Sequence, residues 1–302
     1  MKLITVDQGP TTVAVNSTGS RIYVANYPSN TVSVIDTATD AVIRSPITFG
    51  ALPYGLAVTP DERHVYVGNS GSNTVSVIDT SIDAVVDSPI LVGLTPGGIA
   101  VDPAGSRVYV ANFHSNTVSV IDTASNGVVA TIPVGVFPVG VAVHPDGSRV
   151  FVANSLPDPV QGDSVSVIDT ATERVVATIP VGPGPYTLAV DPAGSRVYVA
   201  NRGSTTVSVI DTASNGVVAT ILVGLDPYTV AVDPTGSYVY VTNFEPDPVQ
   251  DDYRVSVIDT TSNRQVVTVP VGVAPIGVAV APNGRRAYVA NSASSSVSVI
   301  DI

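Results

Sequence analysis

Two arginines stand apart in a chain otherwise made of near-copies of itself: Arg202 follows Asn201, and Arg254 precedes Val255. A guanidinium presents a planar fork of N–H donors that suits a carboxylate. Aromatic residues recur at comparable places. Tyr54, Tyr186 and Tyr228 each follow a proline, and Phe137 precedes one. Tyr27, Phe113, Phe244 and Tyr253 fall in the same class of segment as the arginines, with His114 beside Phe113. Rings around a concave mouth with two guanidinium groups can hold a sugar, a carboxylate or a flat ring. The same rings can equally cap grooves between packed sheets, and both readings stay open here.

Covalent and acid–base chemistry finds less. The histidines are His64, His114 and His144, too few and too dispersed for a His-rich metal centre. Serine is abundant, but no Gly-x-Ser-x-Gly elbow occurs. There is no cysteine, hence no thiolate nucleophile, Cys-ligated metal or disulfide scaffold. No catalytic residue, metal or cofactor is expected. The formal net charge of -12 works against duplex DNA and anionic membranes. Only 13 Lys and Arg are present, too few for a continuous basic track. No apolar run is long enough to span a bilayer. Met1 to Pro10 lacks the apolar stretch of a signal peptide, so either the chain works inside the cell or a leader preceded it.

The elements that must position these residues are repeats. A Tyr-Val-Ala-Asn element begins at Tyr23, Tyr66, Tyr109, Phe151, Tyr198, Tyr240 and Tyr288. Each is followed by Val-Ser-Val-Ile-Asp, ending at Asp36, Asp79, Asp122, Asp169, Asp211, Asp259 and Asp301. The closing asparagines, Asn26 to Asn291, are spaced 43, 43, 42, 47, 42 and 48 residues apart. That period, filled with short Val-rich runs, predicts an all-β, seven-bladed β-propeller with four antiparallel strands per blade. The whole chain, 1–302, reads as one domain. The expected blades are 11–48, 54–92, 97–134, 139–181, 186–223, 228–271, and 276–302 completed by 3–7.

Turn residues punctuate each repeat. His144-Pro145-Asp146-Gly147 predicts a tight hairpin, because Pro fixes φ and Gly supplies a positive one. Asn126-Gly127 and Asn215-Gly216 are hairpin signals at the third turn. The seven Asp residues lead into turns, where carboxylates accept backbone N–H groups. The seven Asn residues are expected to bond loop backbone at the strand end. The last repeat stops after its third strand, while Leu3-Ile4-Thr5-Val6 matches the end of a fourth strand such as Thr131-Ile132-Pro133-Val134. The N-terminus should therefore complete the last blade and close the ring.

With Tyr240-Val241-Thr242-Asn243 as the literal form and six close variants, the chain resembles the YVTN-repeat β-propeller family over essentially its whole length. Members include surface-layer modules, periplasmic propellers (one of which binds single-stranded DNA) and domains attached to redox enzymes. The resemblance implies an extracytoplasmic setting; a monomer is expected. Known propellers further imply that the second-to-third loops and the blade-to-blade loops share one face, called the upper face below. Departures from the repeat concentrate there. Inserts occur around 156–163 and 245–252, sharing Pro-Asp-Pro-Val-Gln; they read as rims over the channel mouth, as plain duplicated loops, or as calcium-binding carboxylate loops. The ligand candidates are Arg202, Arg254, Tyr54, Phe137, Tyr186, Tyr228, Phe113, His114, Phe244 and Tyr253. The expectation is a binding or protein-interaction scaffold module, its ligand (a small molecule, glycan or protein) at the upper mouth. The alternatives are a lyase, cyclase or hydrolase acting there on a small anionic or cyclic substrate, and a single-stranded nucleic-acid binder using the rings as stacking platforms.

Overall fold

A computed structural model describes residues 2–43, 46–48, 51–155 and 163–302. Seven antiparallel sheets stand around one axis, and among the described residues there is no α-helix. Blade 3 is representative, with strands Pro96–Val101, Arg107–Asn112, Thr117–Asp122 and Gly127–Pro133 paired in sequence order. The first strands of successive blades touch one another all the way round, so they line the axis. The ring closes as expected. Lys2–Thr5 pairs antiparallel with Ser296–Asp301, Ile4 opposite Val297, and completes blade 7.

Blades pack because their middle strands are apolar on both faces. Every residue of Arg107–Asn112 except the first is buried. The tyrosine of each repeat is buried in the groove to the next blade, as Tyr23 is against Val65, Val67 and Ile78. Ile4 and Val6 join Tyr288, Val297 and Ile22 in the closing junction, so the clasp is cored like the other six. The fourth strands are less covered than the middle ones. Val129 and Val218 are more than half exposed, because no further strand lies outside them.

Turn chemistry follows the sequence with two refinements. In the first hairpin Gly105 adopts φ 71° and its N–H bonds the Asp102 carbonyl. Glu62 holds the same position in blade 2 at φ 61°. Its carboxylate accepts from Asn16 Nδ2, Ser17 Oγ and the Thr18 N–H of blade 1, which offsets the strain of a left-handed glutamate. At the third turn Asn126 is left-handed, but Gly127 already pairs with Asp122. The loop is therefore four residues long. The repeat's Asp selects it by accepting turn N–H groups, as Asp36 Oδ1 does from Ala38 and Thr39. Those bonds hold the Asp36, Asp211 and Asp259 carboxyls below the usual range.

The Asn series corrects an expectation. Asn26 Nδ2 donates to Thr31 Oγ1 and Ser33 Oγ of the neighbouring strand, and Asn69, Asn112, Asn201 and Asn291 repeat this. Among the described residues, only Asn154 and Asn243 of this series reach a backbone carbonyl. The reason is packing. The asparagine amide lies on the glycine that ends the previous blade, and a Cβ on Gly93 would stand 2.6 Å from Asn112 Cγ. On the lower face, arginines tie blade to blade: Arg286 Nη1 bonds Asp40, Arg21 Nη1 bonds Asp83, and Arg149 Nη1 bonds the Thr212 carbonyl.

Candidate functional site

The upper mouth is shaped by the residue before each blade's first proline. Gly9, Leu52, Thr95, Phe137, Gly184, Asp226 and Ala274 all have φ between 50 and 64°. Only two are glycine, and a residue before proline normally favours extended backbone. Two bonds hold the conformation. The Leu52, Thr95 and Phe137 N–H groups donate to the side chains of Asn30, Asn73 and Asn116 in the preceding blade. Their carbonyls accept the Ser70, Phe113 and Ser155 N–H groups of their own blade. These three loops are thereby each locked to two blades, and the residue after the proline stands at the mouth.

That position holds Tyr54, Tyr186 and Tyr228 in blades 2, 5 and 6. Their hydroxyls meet over the axis. The Tyr54 and Tyr186 hydroxyls are in direct contact, Tyr186 to Tyr228 is 2.9 Å, and Tyr54 to Tyr228 is 3.4 Å. Three O–H groups can close a ring in which each donates to the next. Burial raises the Tyr54 and Tyr186 phenols well above their usual range, so both are protonated at any ordinary pH. Below this plug lies a shaft of ≈ 150 Å³ lined by small groups such as Thr12, Gly55, Gly98, Gly140 and Gly277.

Above the plug is a bowl of ≈ 320 Å³. One wall is Phe113 and His114; Phe137 stacks on Phe113 at 4.8 Å between ring centroids, with the His114 ring edge-on. Tyr27 meets Tyr54 edge-on at 6.0 Å on another side. Gly97 holds the tyrosine-equivalent position in blade 3 and leaves that side open. Arg202 forms the remaining wall. Its guanidinium carbon lies 4.5 Å from the Tyr228 ring centroid and 5.3 Å from that of Tyr186, with Phe244 behind. Its Nε donates to Asp226 at 3.0 Å, while Nη1 and Nη2 make no hydrogen bond to the described residues. The side chain is 39% exposed.

The sequence thus placed Arg202, Tyr54, Tyr186, Tyr228, Phe244, Phe113, His114 and Phe137 in loops that the fold brings together. Arg254 and Tyr253 do not join them. Arg254 turns outward to Asp252, Gln250 and Thr268, into a separate groove of ≈ 290 Å³ between the outer parts of blades 5 and 6. The idea that both arginines reach one anion near the axis is therefore corrected: Asp252, two residues earlier in the insert, captures the second. Tyr253 packs on the apolar junction of blades 6 and 7 and caps a groove. The blade 6 insert folds on itself through Asp247, whose Oδ1 accepts the Val249 and Gln250 N–H groups, and none of it lines the bowl. The blade 4 insert, 156–162, lies outside the described residues. Among the described residues no group of three or more His, Asp and Glu could hold a metal.

Three contributors escaped the sequence reading. Thr95 Oγ1 bonds His114 Nδ1 at 2.8 Å, Ser70 lines the bowl, and Asp226 orients Arg202. Asp226 carried a signal: it is the only charged residue at the pre-proline position. His144 lies in its predicted hairpin turn and is buried, with Nε2 donating to the Gly194 carbonyl at 2.8 Å.

A family model for YNCE-like β-propellers matches residues 47–149 and 146–238, close to two thirds of the chain. The chain belongs to the YNCE-like β-propeller family. The YVTN-type repeat agrees with this assignment. A solved structure titled Kuenenia stuttgartiensis hydrazine synthase is similar at a TM-score of 0.88 and 27% identity, over 99% of this chain and 97% of that one. No curated protein sequence matches. Solved chains that match number 1760, so architecture alone selects no function.

Proposed function

We propose that the chain is a binding module whose ligand enters the upper bowl. The observation that carries this reading is Arg202. Its plane is fixed by Asp226 and by the tyrosine faces beneath it, yet among the described residues neither Nη group has a hydrogen-bond partner. Ordering such a side chain before binding lowers the entropy lost on binding. The bowl's volume is at the small end of ligand pockets, and most of its lining is ring face and backbone.

The second reading is an enzyme, a lyase, cyclase or hydrolase at the same mouth, favoured by the enzyme title of the similar solved structure. Binding is preferred because the imidazole in the bowl's lining, His114, shares its Nδ1 with Thr95 Oγ1 and stands against phenylalanine rings. Single-stranded nucleic acid ranks third, since the net charge of -12 opposes a polyanion.

A thermal-shift screen over small anions, cyclic compounds, glycans and short single strands tests the proposal. Compounds that raise Tm for the native chain, and not for an Arg202→Gln/Tyr186→Ala double variant, are the expected result. A screen in which every hit acts equally on both proteins would refute the bowl as the site.

A further inference from the structure

We infer that the ligand of the upper bowl is a flat, ring-bearing carboxylate carrying one negative charge, its carboxylate on Arg202 and its ring against the Phe113 and Tyr27–Tyr54 walls. The inference rests on the binding reading above and narrows it by three arguments.

The first concerns charge. Among the described residues Arg202 is the only arginine or lysine that lines the bowl, and Asp226 already sits 3.0 Å from its Nε. The Arg202–Asp226 pair is close to neutral, and the whole protein carries -12. A carboxylate can take the two free Nη donors as a fork. A phosphate ester brings a second negative charge that meets Asp226 and the protein's own field with no further cation to offset it.

The second concerns hydroxyls. A sugar needs many donors and acceptors, and this bowl has spent most of its own. The Tyr54 and Tyr186 hydroxyls bond each other and Tyr228. Ser70 Oγ donates to the Leu52 carbonyl at 2.9 Å, and Thr95 Oγ1 is shared with His114 Nδ1. A polyol entering the bowl would be desolvated without replacement partners, which costs affinity.

The third concerns shape. Phe113 lines the bowl with Phe137 stacked against it, 24° between their planes, so that wall is an aromatic ring held in place by a second one. Arg202 lies on the other side of the same bowl, over the rings of Tyr186 and Tyr228. A rigid ring bearing one carboxylate spans wall and guanidinium without internal freedom to lose. The ≈ 320 Å³ available limits it to one or two fused rings.

The test uses the full chain and four probes by titration calorimetry: 2-naphthoate, 2-naphthyl phosphate, glucuronate, and a short single-stranded oligonucleotide. We expect 2-naphthoate to bind at least tenfold more tightly than either the phosphate ester or glucuronate. Arg202→Gln should weaken naphthoate at least tenfold, with Arg254→Gln unchanged and the Tm of both variants near native. Amide chemical shifts at Phe113, Tyr186 and Arg202 should move on naphthoate binding. Tighter binding of the phosphate ester, of glucuronate or of the oligonucleotide, with shifts at the same residues, would overturn the carboxylate class and leave the binding reading standing. Failure of all four to perturb the bowl would overturn the class and count against the binding reading as well. Naphthoate binding that Arg202→Gln leaves intact would overturn the assignment of the carboxylate to Arg202.

Discussion

The phenol ring over the axis should make this propeller unusually sensitive to alkali, and the effect can be worked from the structure. Burial raises the Tyr54 and Tyr186 phenols well above their usual value of 10.0, and their hydroxyls bond one another. In the unfolded chain both ionise near pH 10. A group whose pKa is raised in the folded state contributes its full share below the unfolded pKa and loses it as pH rises. Each unit of pH above 10 therefore costs about 1.4 kcal/mol per tyrosine. At pH 11 the pair costs about 3 kcal/mol, or roughly 6 °C in Tm at about 2 °C per kcal/mol for a chain of this size. The repeat tyrosines shift the same way, Tyr66 and Tyr240 to about 12, so the native protein alone would not isolate the plug. Comparison with a Tyr54→Phe/Tyr186→Phe variant would. That variant should begin about 1–3 kcal/mol less stable at pH 8, because Tyr228 loses its partners. Its Tm should then fall less steeply between pH 9.5 and 11.5. The assay is thermal unfolding by circular dichroism across that range, with absorbance at 295 nm reporting phenolate. Parallel pH slopes for the two proteins, or phenolate from all twelve tyrosines at pH 10 in a still-folded chain, would refute the closed ring.

Further expectations follow from named contacts. Ile4→Ala removes a buried clasp side chain and should cost about 2–5 kcal/mol, as should Ile132→Ala at the equivalent place in blade 3; a melting curve unchanged by Ile4→Ala would show that the clasp does not close the ring. Gly93→Ala drives a methyl to 2.6 Å from Asn112 Cγ and should lower stability by about 1–3 kcal/mol in denaturant titration, whereas a neutral result would mean that the asparagine ladder is loose. Glu62→Ala keeps a left-handed backbone and loses the bonds to blade 1, so it should be less stable than Glu62→Gly by about 1 kcal/mol, and the reverse order would discount the strain. Acid should destabilise the protein as pH falls through about 4 and below. The turn carboxyls of Asp36, Asp79, Asp122, Asp169, Asp211 and Asp259 are depressed by N–H and hydroxyl donors, and Asp146 lies at about 2 beside Ser148 and His144; their contribution is present above 3.8 and lost on protonation. A Tm constant from pH 6 to pH 2.5 would contradict that.

The seven blades and the clasp were legible in the sequence because both depend on period and on local strand chemistry, which every copy restates. The mouth was legible only as a set of loops. Tyr54, Tyr186 and Tyr228 share a sequence position, but that their hydroxyls touch depends on the diameter of a closed ring, which no single repeat encodes. Arg254 was misplaced because an arginine goes to its nearest good acceptor, and Asp252 lies two residues away in an insert whose shape the repeat does not set. The Asn series was misread for a similar reason. Its partners are hydroxyls across the ladder, and its position is fixed by a glycine of the preceding blade. Fourth-strand valines such as Val218 share the valine-rich composition of the middle strands, yet they lie on the perimeter.

The clasp gives the molecule a circular rather than a linear identity. Lys2 pairs with Val299, so the first and last described strands share one blade, where every other blade has a hairpin turn. A short linker patterned on Thr123-Ala124-Ser125-Asn126-Gly127 would turn that gap into a seventh hairpin, and the chain could then be opened at any other lower turn with the same contacts restored. Circular permutants begun at blade 3, 4 or 5 should fold to one structure, with the bowl at the same blades. What the sequence specifies is the order of blades around a ring, and the closure makes the seventh blade equivalent to the rest.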